Sequence, residues 1–161
     1  MATAASQEMR ALLQEFVEAR IDAPELFARA GKLLPVGADP SEELLELLAE
    51  ADLQLRRPTG RQAFVRRIEQ FAERETSYAE LDLWCFSLGQ TAALSPEAGP
   101  TADPEVNLLR EVVNWIEQWE EEAARPAPAG LREFARILAQ EADPVRCRDR
   151  LEDALARFAG D

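Results

Sequence analysis

Carboxylates are the only side chains present in the numbers that acid–base or metal chemistry needs. The 161 residues include 31 aspartates and glutamates, 18 lysines and arginines, and no histidine. Without histidine the commonest general base is missing, together with the Ser-His and Cys-His nucleophile systems and most zinc sites. The seven glycines are scattered at breaks, so no glycine-rich phosphate loop exists. Lys32, the one lysine, lies among apolar residues near a helix end. It reads as a surface lysine that snorkels to water rather than as a Schiff-base or phosphate-binding group. One helical carboxylate set with metal-ligand spacing is "EELLE". Glu42, Glu43 and Glu46 are three and four apart, so they share a helix face able to hold a hard metal ion.

That segment resembles the first half of the E-E-x-x-E signature of the MazG-like nucleotide pyrophosphohydrolases, which are all-helical magnesium enzymes. The family completes its metal site with an E-x-x-D helix, and this chain contains no E-x-x-D. Glu42 and Glu43 also have a structural task, because acids in a first turn complement the helix dipole. The chain therefore reads as non-enzymatic, with no catalytic residue, no cofactor and no metal. The pyrophosphohydrolase stands third among the functional readings.

Binding chemistry is concentrated in "NWIEQWEEEAARPAPAG", residues 114–130. Projected at about 100° per residue, Val106, Leu108, Leu109, Val112, Val113, Trp115, Ile116, Trp119 and Ala123 fill half of a helix extending to about Ala124. A half-apolar helix is one touched from two sides. Trp119 falls inside the arc and is expected in the core. Trp115 lies on its edge, beside Glu111, Gln118 and Glu122. That position suits an anchor for a partner and equally a lid on the core with its N–H in water. Trp115, Glu117, Glu121 and Glu122 are the candidate partner-binding residues.

The formal net charge of −13 repels phosphates, so nucleic acid and anionic lipid are poor partners. The same surface attracts a basic protein, including a toxin or nuclease whose own cleft attracts phosphates. The leading expectation is an acidic binding protein that engages such a partner, with an inhibitor or immunity protein of a toxin or nuclease as one form of that reading. The rival is a structural or adaptor subunit of a larger bacterial assembly, bound through an apolar patch. Cys85 and Cys147 are the only cysteines and read as small buried residues in a reducing compartment. No apolar run approaches a membrane span. "MATAASQEMR" has neither the basic flank nor the apolar stretch of a signal peptide. The expected location is the cytoplasm.

The elements that must position these residues read as helices throughout. Starts are marked by Ser6, Asp22-Ala-Pro-Glu25, Asp39-Pro40, Thr59 with Gln62, Ser77 with Glu80, Asp103-Pro104, the "RPAPAG" break and Asp143-Pro144. No stretch alternates over strand length. The expectation is a single all-α domain, residues 1–161, with about eight helices as an irregular bundle or stacked hairpins. Its flexible loop would lie near residues 95–103. Three breaks, "FVEARIDAPELFA", "FAERETSYAELDL" and "ILAQEADPVRCRDRL", share one outline, which fits the general likeness of antiparallel helix pairs before it fits a helical-hairpin repeat.

The first hairpin, "LLQEFVEARIDAPELFARAGKLL", resembles the start of the colicin-D-immunity-like proteins. Phe16, Ile21, Asp22, Ala23, Glu25 and Phe27 carry the likeness. The resemblance implies a small, helical, non-catalytic bacterial immunity protein that covers the cleft of a basic nuclease toxin with carboxylates.

Overall fold

The structure is a computed structural model that describes residues 4–40, 42–44, 46, 59–89, 94 and 103–159. Seven bounded helices run in order: α1 Ala4–Val17, α2 Ala23–Leu33, α3 Thr59–Ala72, α4 Tyr78–Gly89, α5 Pro104–Gln118, α6 Pro128–Gln140 and α7 Pro144–Ala159. Residues 40, 42–44 and 46 are also helical, at the place of the third expected helix. Among the described residues there is no strand, and the fold is an all-α bundle. The expected loop at 95–103 lies outside the described residues except for Asp103, as do residues 41, 45 and 47–58 of the third expected helix and the break after it.

The start signals act as read. Asp22 Oδ1 accepts from Glu25 N at 2.9 Å, and Ser77 Oγ accepts from Glu80 N at 3.2 Å. Asp103 Oδ1 accepts from Glu105 N at 3.0 Å, and Asp143 Oδ1 from Val145 N at 2.9 Å. Each bond satisfies a backbone donor that helix geometry leaves free. Ser6 and Thr59 are exceptions, since α1 begins at Ala4 and carries Ser6 within it, and α3 already begins at Thr59.

The first two breaks share one geometry. Ala19 and Arg74 both take positive φ, 60° and 61°. Arg20 N donates to Glu15 O and Ala19 N to Phe16 O; Glu75 N donates to Gln70 O and Arg74 N to Phe71 O. This is the paired 6→1 and 5→2 closure of a helix C-terminus, made twice without glycine. An arginine covers the matching phenylalanine in each: Arg67 lies 5.0 Å above Phe16, and Arg125 lies 5.3 Å above Phe71. The third break has no positive φ in its described residues, so the repeat holds for two connectors only.

Packing does not follow the repeat. α1 packs on α2, but α3 packs most extensively on α6, while α4 packs on α5 and α1. Gly130 lets α6 approach the end of α7: a Cβ there would stand 3.2 Å from the Phe158 ring. The core is one cluster that draws on all seven helices. Near its centre Trp84 meets Phe64 edge-on at 4.9 Å and donates from Nε1 to Val17 O at 3.1 Å. Arg67 is buried beside it and donates to the carbonyls of Phe16 and Ile21. Desolvation lowers its pKa to about 10.

Candidate partner-binding surface

α5 carries the two tryptophans of the opening stretch, and both turn inward. Trp119 is 2% exposed and meets the Phe134 ring of α6 edge-on at 5.4 Å. Trp115 is 9% exposed and meets the same ring at 5.9 Å. Trp115 is therefore a lid on the core, and the described surface offers little of it to an anchor pocket. Its place at the edge of the arc is real, but Phe134 arrives from another helix and closes that edge.

The helix is also shorter than its apolar pattern. It stops at Gln118, and the bonds tighten: Trp119 N donates to Ile116 O, Glu120 N to Glu117 O and Glu121 N to Gln118 O. A short 3-10 turn follows at Glu122–Ala124. Glu120, Glu121 and Glu122 bring negative charge to the negative end of the helix dipole, and no basic residue stands in the last turn. Extending the helix would align more carbonyls against that charge. Carbonyls at this end also take side-chain donors. Tyr78 Oη donates to Ile116 O at 3.0 Å, and Arg125 Nε donates to Trp119 O at 3.0 Å.

This ending separates the candidate acids. Glu121 and Glu122 are exposed but lie beyond the helix, so they do not share the face projected for them. Glu117 remains on α5 and is exposed. It lines an open groove of about 480 Å³ with Glu120 and with Ala79, Asp82, Leu83 and Phe86 of α4. Three carboxylates thus stand around Phe86, a large apolar side chain that is 49% exposed. Their field reaches the groups beneath. Burial, then Asp82, pushes the Tyr78 phenol up to about 12, with Glu120 adding to the rise. Burial, then Glu117 and Asp82, pushes the Cys85 thiol upward. Both groups stay protonated at neutral pH, and Cys85 is buried and free.

Asp82, Phe86 and Glu120 were not legible as site residues. Phe86 lies off the inward stripe of α4, which buries Leu81, Trp84, Cys85 and Leu88. The available signal was that α4 is apolar on more than one side.

The other candidates stand apart from this groove. Glu42 and Glu46 are exposed and Glu43 half-buried. Among the described residues no group of three or more histidine, cysteine, aspartate or glutamate side chains is placed to hold a metal ion. Lys32 is exposed in a shallow cleft between α1 and α2, with Glu8, Glu15 and Arg29. In the first hairpin, Phe16, Ile21 and Ala23 are buried, Asp22 caps α2, and Glu25 stands 3.8 Å from Arg29. Those residues serve folding. Among the described residues no helix is long and apolar enough to cross a membrane. Comparison with known protein families, with curated proteins and with solved structures finds no match.

Proposed function

We propose that this chain is an acidic, non-catalytic helical binding protein that engages a basic protein partner in the cytoplasm. A nuclease toxin is the partner class that the resemblance of the first hairpin brings forward, which would make the chain an immunity protein. The observation that carries the reading is the groove in which Asp82, Glu117 and Glu120 surround the exposed Phe86. Charge of one sign at the rim speeds encounter with a cationic surface, and an aromatic floor supplies contact area once the partner has docked.

The test is association with basic proteins, nucleases included, for the native chain and a variant carrying Asp82→Lys, Glu117→Lys and Glu120→Lys. All three side chains are exposed, so the variant keeps its fold. The reversal is expected to slow association at least about tenfold, as does raising salt. Equal on-rates for the two proteins would sink the reading. A second reading, the adaptor subunit, draws on Phe86 itself. A complex indifferent to salt and to the reversal, but lost on replacing Phe86, would favour it.

A further inference from the structure

The outward side of α4 has a helical periodicity of its own. Ala79, Leu83 and Phe86 fall at positions i, i+4 and i+7, which stacks them along one face. The opposite side of α4 is fully used, with Leu81, Trp84, Cys85, Ser87 and Leu88 buried. A helix apolar on both sides is the composition of one covered on both sides. Yet Ala79 and Phe86 are exposed and Leu83 is half-buried. Among the described residues no element covers this side along about two turns. The end of α5 forms one wall of the furrow, and among the described residues each charged one that lines it is an acid: Asp82, Glu117 and Glu120.

We infer that the furrow receives one amphipathic helix of the partner protein, whose apolar stripe lies on Ala79, Leu83 and Phe86 while its flanking arginines or lysines meet Asp82, Glu117 and Glu120. Spacing and charge select this occupant together. A stripe at i, i+4, i+7 is the footprint of a helix laid in a groove. The rim repels an acidic or neutral-acidic helix and pairs with a cationic one. A second copy of this chain is disfavoured by its net charge of −13. This inference rests on the basic-partner reading and adds to it the shape of the partner.

The probe is a labelled synthetic helix of about 18 residues, long enough to hold helical structure, with leucines on one stripe and arginines elsewhere. Two companions accompany it: the same composition in scrambled order, and the leucine stripe with glutamate in place of arginine. Fluorescence anisotropy gives the affinity of each for the native chain, for Phe86→Ser, for Ala79→Arg, and for Glu117→Lys with Glu120→Lys. Both Phe86 and Ala79 face water, and circular dichroism checks that each variant is folded. If one is not, the other carries the test.

The ordered basic peptide is expected to bind, with a Kd at least about tenfold weaker for the scrambled peptide and for either stripe variant. The acidic peptide should not bind. Equal affinity for ordered and scrambled basic peptides, or no effect of Phe86→Ser and Ala79→Arg, overturns the helix inference. If binding then still falls with the glutamate reversals, the broader basic-partner reading survives. No binding by either basic peptide at low salt ends both. Equal binding of the acidic stripe overturns the charge selection. Self-association in sedimentation, abolished by Phe86→Ser, would make the occupant a second copy and also overturn it.

Discussion

Trp115 and Trp119 stand about one helical turn apart, and both meet the same ring. Both stand nearly perpendicular to Phe134, at 5.9 and 5.4 Å. Edge-to-face contacts of this kind add to the gain from burial. Trp119→Ala should therefore destabilise the chain by about 3–5 kcal/mol. Trp115→Ala should cost somewhat less, about 2–4 kcal/mol, because one edge of the indole touches water. Urea unfolding midpoints of the two variants check both values. A Trp115→Ala protein as stable as the native chain would return that residue to the surface, where it could act as an anchor. The helical projection was right about the arc of α5 as far as Trp119 and wrong at Ala123, which is exposed beyond the helix, and it contains no information about which distant side chain closes the edge of the arc. Phe134 does so from α6. Phe86 shows the converse. Its type suggests burial, its position on α4 decides against it, and only the placement of α5 shows which acids it sits among.

Helix starts were readable because the bonds that make them are local. Asp22, Ser77, Asp103 and Asp143 accept from backbone groups two or three residues on, so residue type and spacing are enough to find them. Helix ends were harder. α5 ends at Gln118, about six residues short of the end its apolar pattern marks near Ala124, because charge at the C-terminus opposes the dipole. α1 and α3 end on Ala19 and Arg74 at positive φ, where glycine is the usual marker and its absence hides the turn. The same observation gives a prediction. Arg74 is exposed, and its left-handed backbone costs about 1–2 kcal/mol for an L-residue. Glycine removes that strain and gives part of the gain back as unfolded-chain entropy. Arg74→Gly should stabilise the chain by about 0.5–1 kcal/mol, raising the thermal midpoint by about 1–4 °C. Ala19→Gly should gain less, because the Ala19 methyl is buried. A midpoint that falls for Arg74→Gly would mean that the arginine side chain stabilises its connector by more than the strain it imposes.

Charge acts on the whole molecule in two opposite ways. Excess acid at −13 repels itself within the compact fold, and the same excess recruits a basic partner. Attractive pairs offset part of the repulsion. The strongest by geometry is Arg61 of α3, which grips Glu105 of α5 through Nε at 2.5 Å and Nη2 at 2.9 Å. It also donates to the carbonyls of Leu138, Glu141 and Ala142 at the end of α6. That residue joins three helices, is mostly buried and is little screened. Most other pairs, such as Arg132 with Glu73 and Arg148 with Glu152, are about half exposed on both sides and are worth little each. Raising ionic strength from about 10 mM to about 150 mM shortens the screening length from about 30 to about 8 Å. Repulsion among the many unpaired acids acts over longer distances than the close pairs, so it is screened first. The thermal midpoint should rise over that range, while affinity for the basic amphipathic helix should fall. Opposite signs in one salt series would separate loss of binding from loss of fold. A midpoint that drops with salt would mean that the exposed pairs, rather than the uncompensated acids, dominate the electrostatics of the folded chain. In that case weakened binding at high salt would have to be read against a less stable protein.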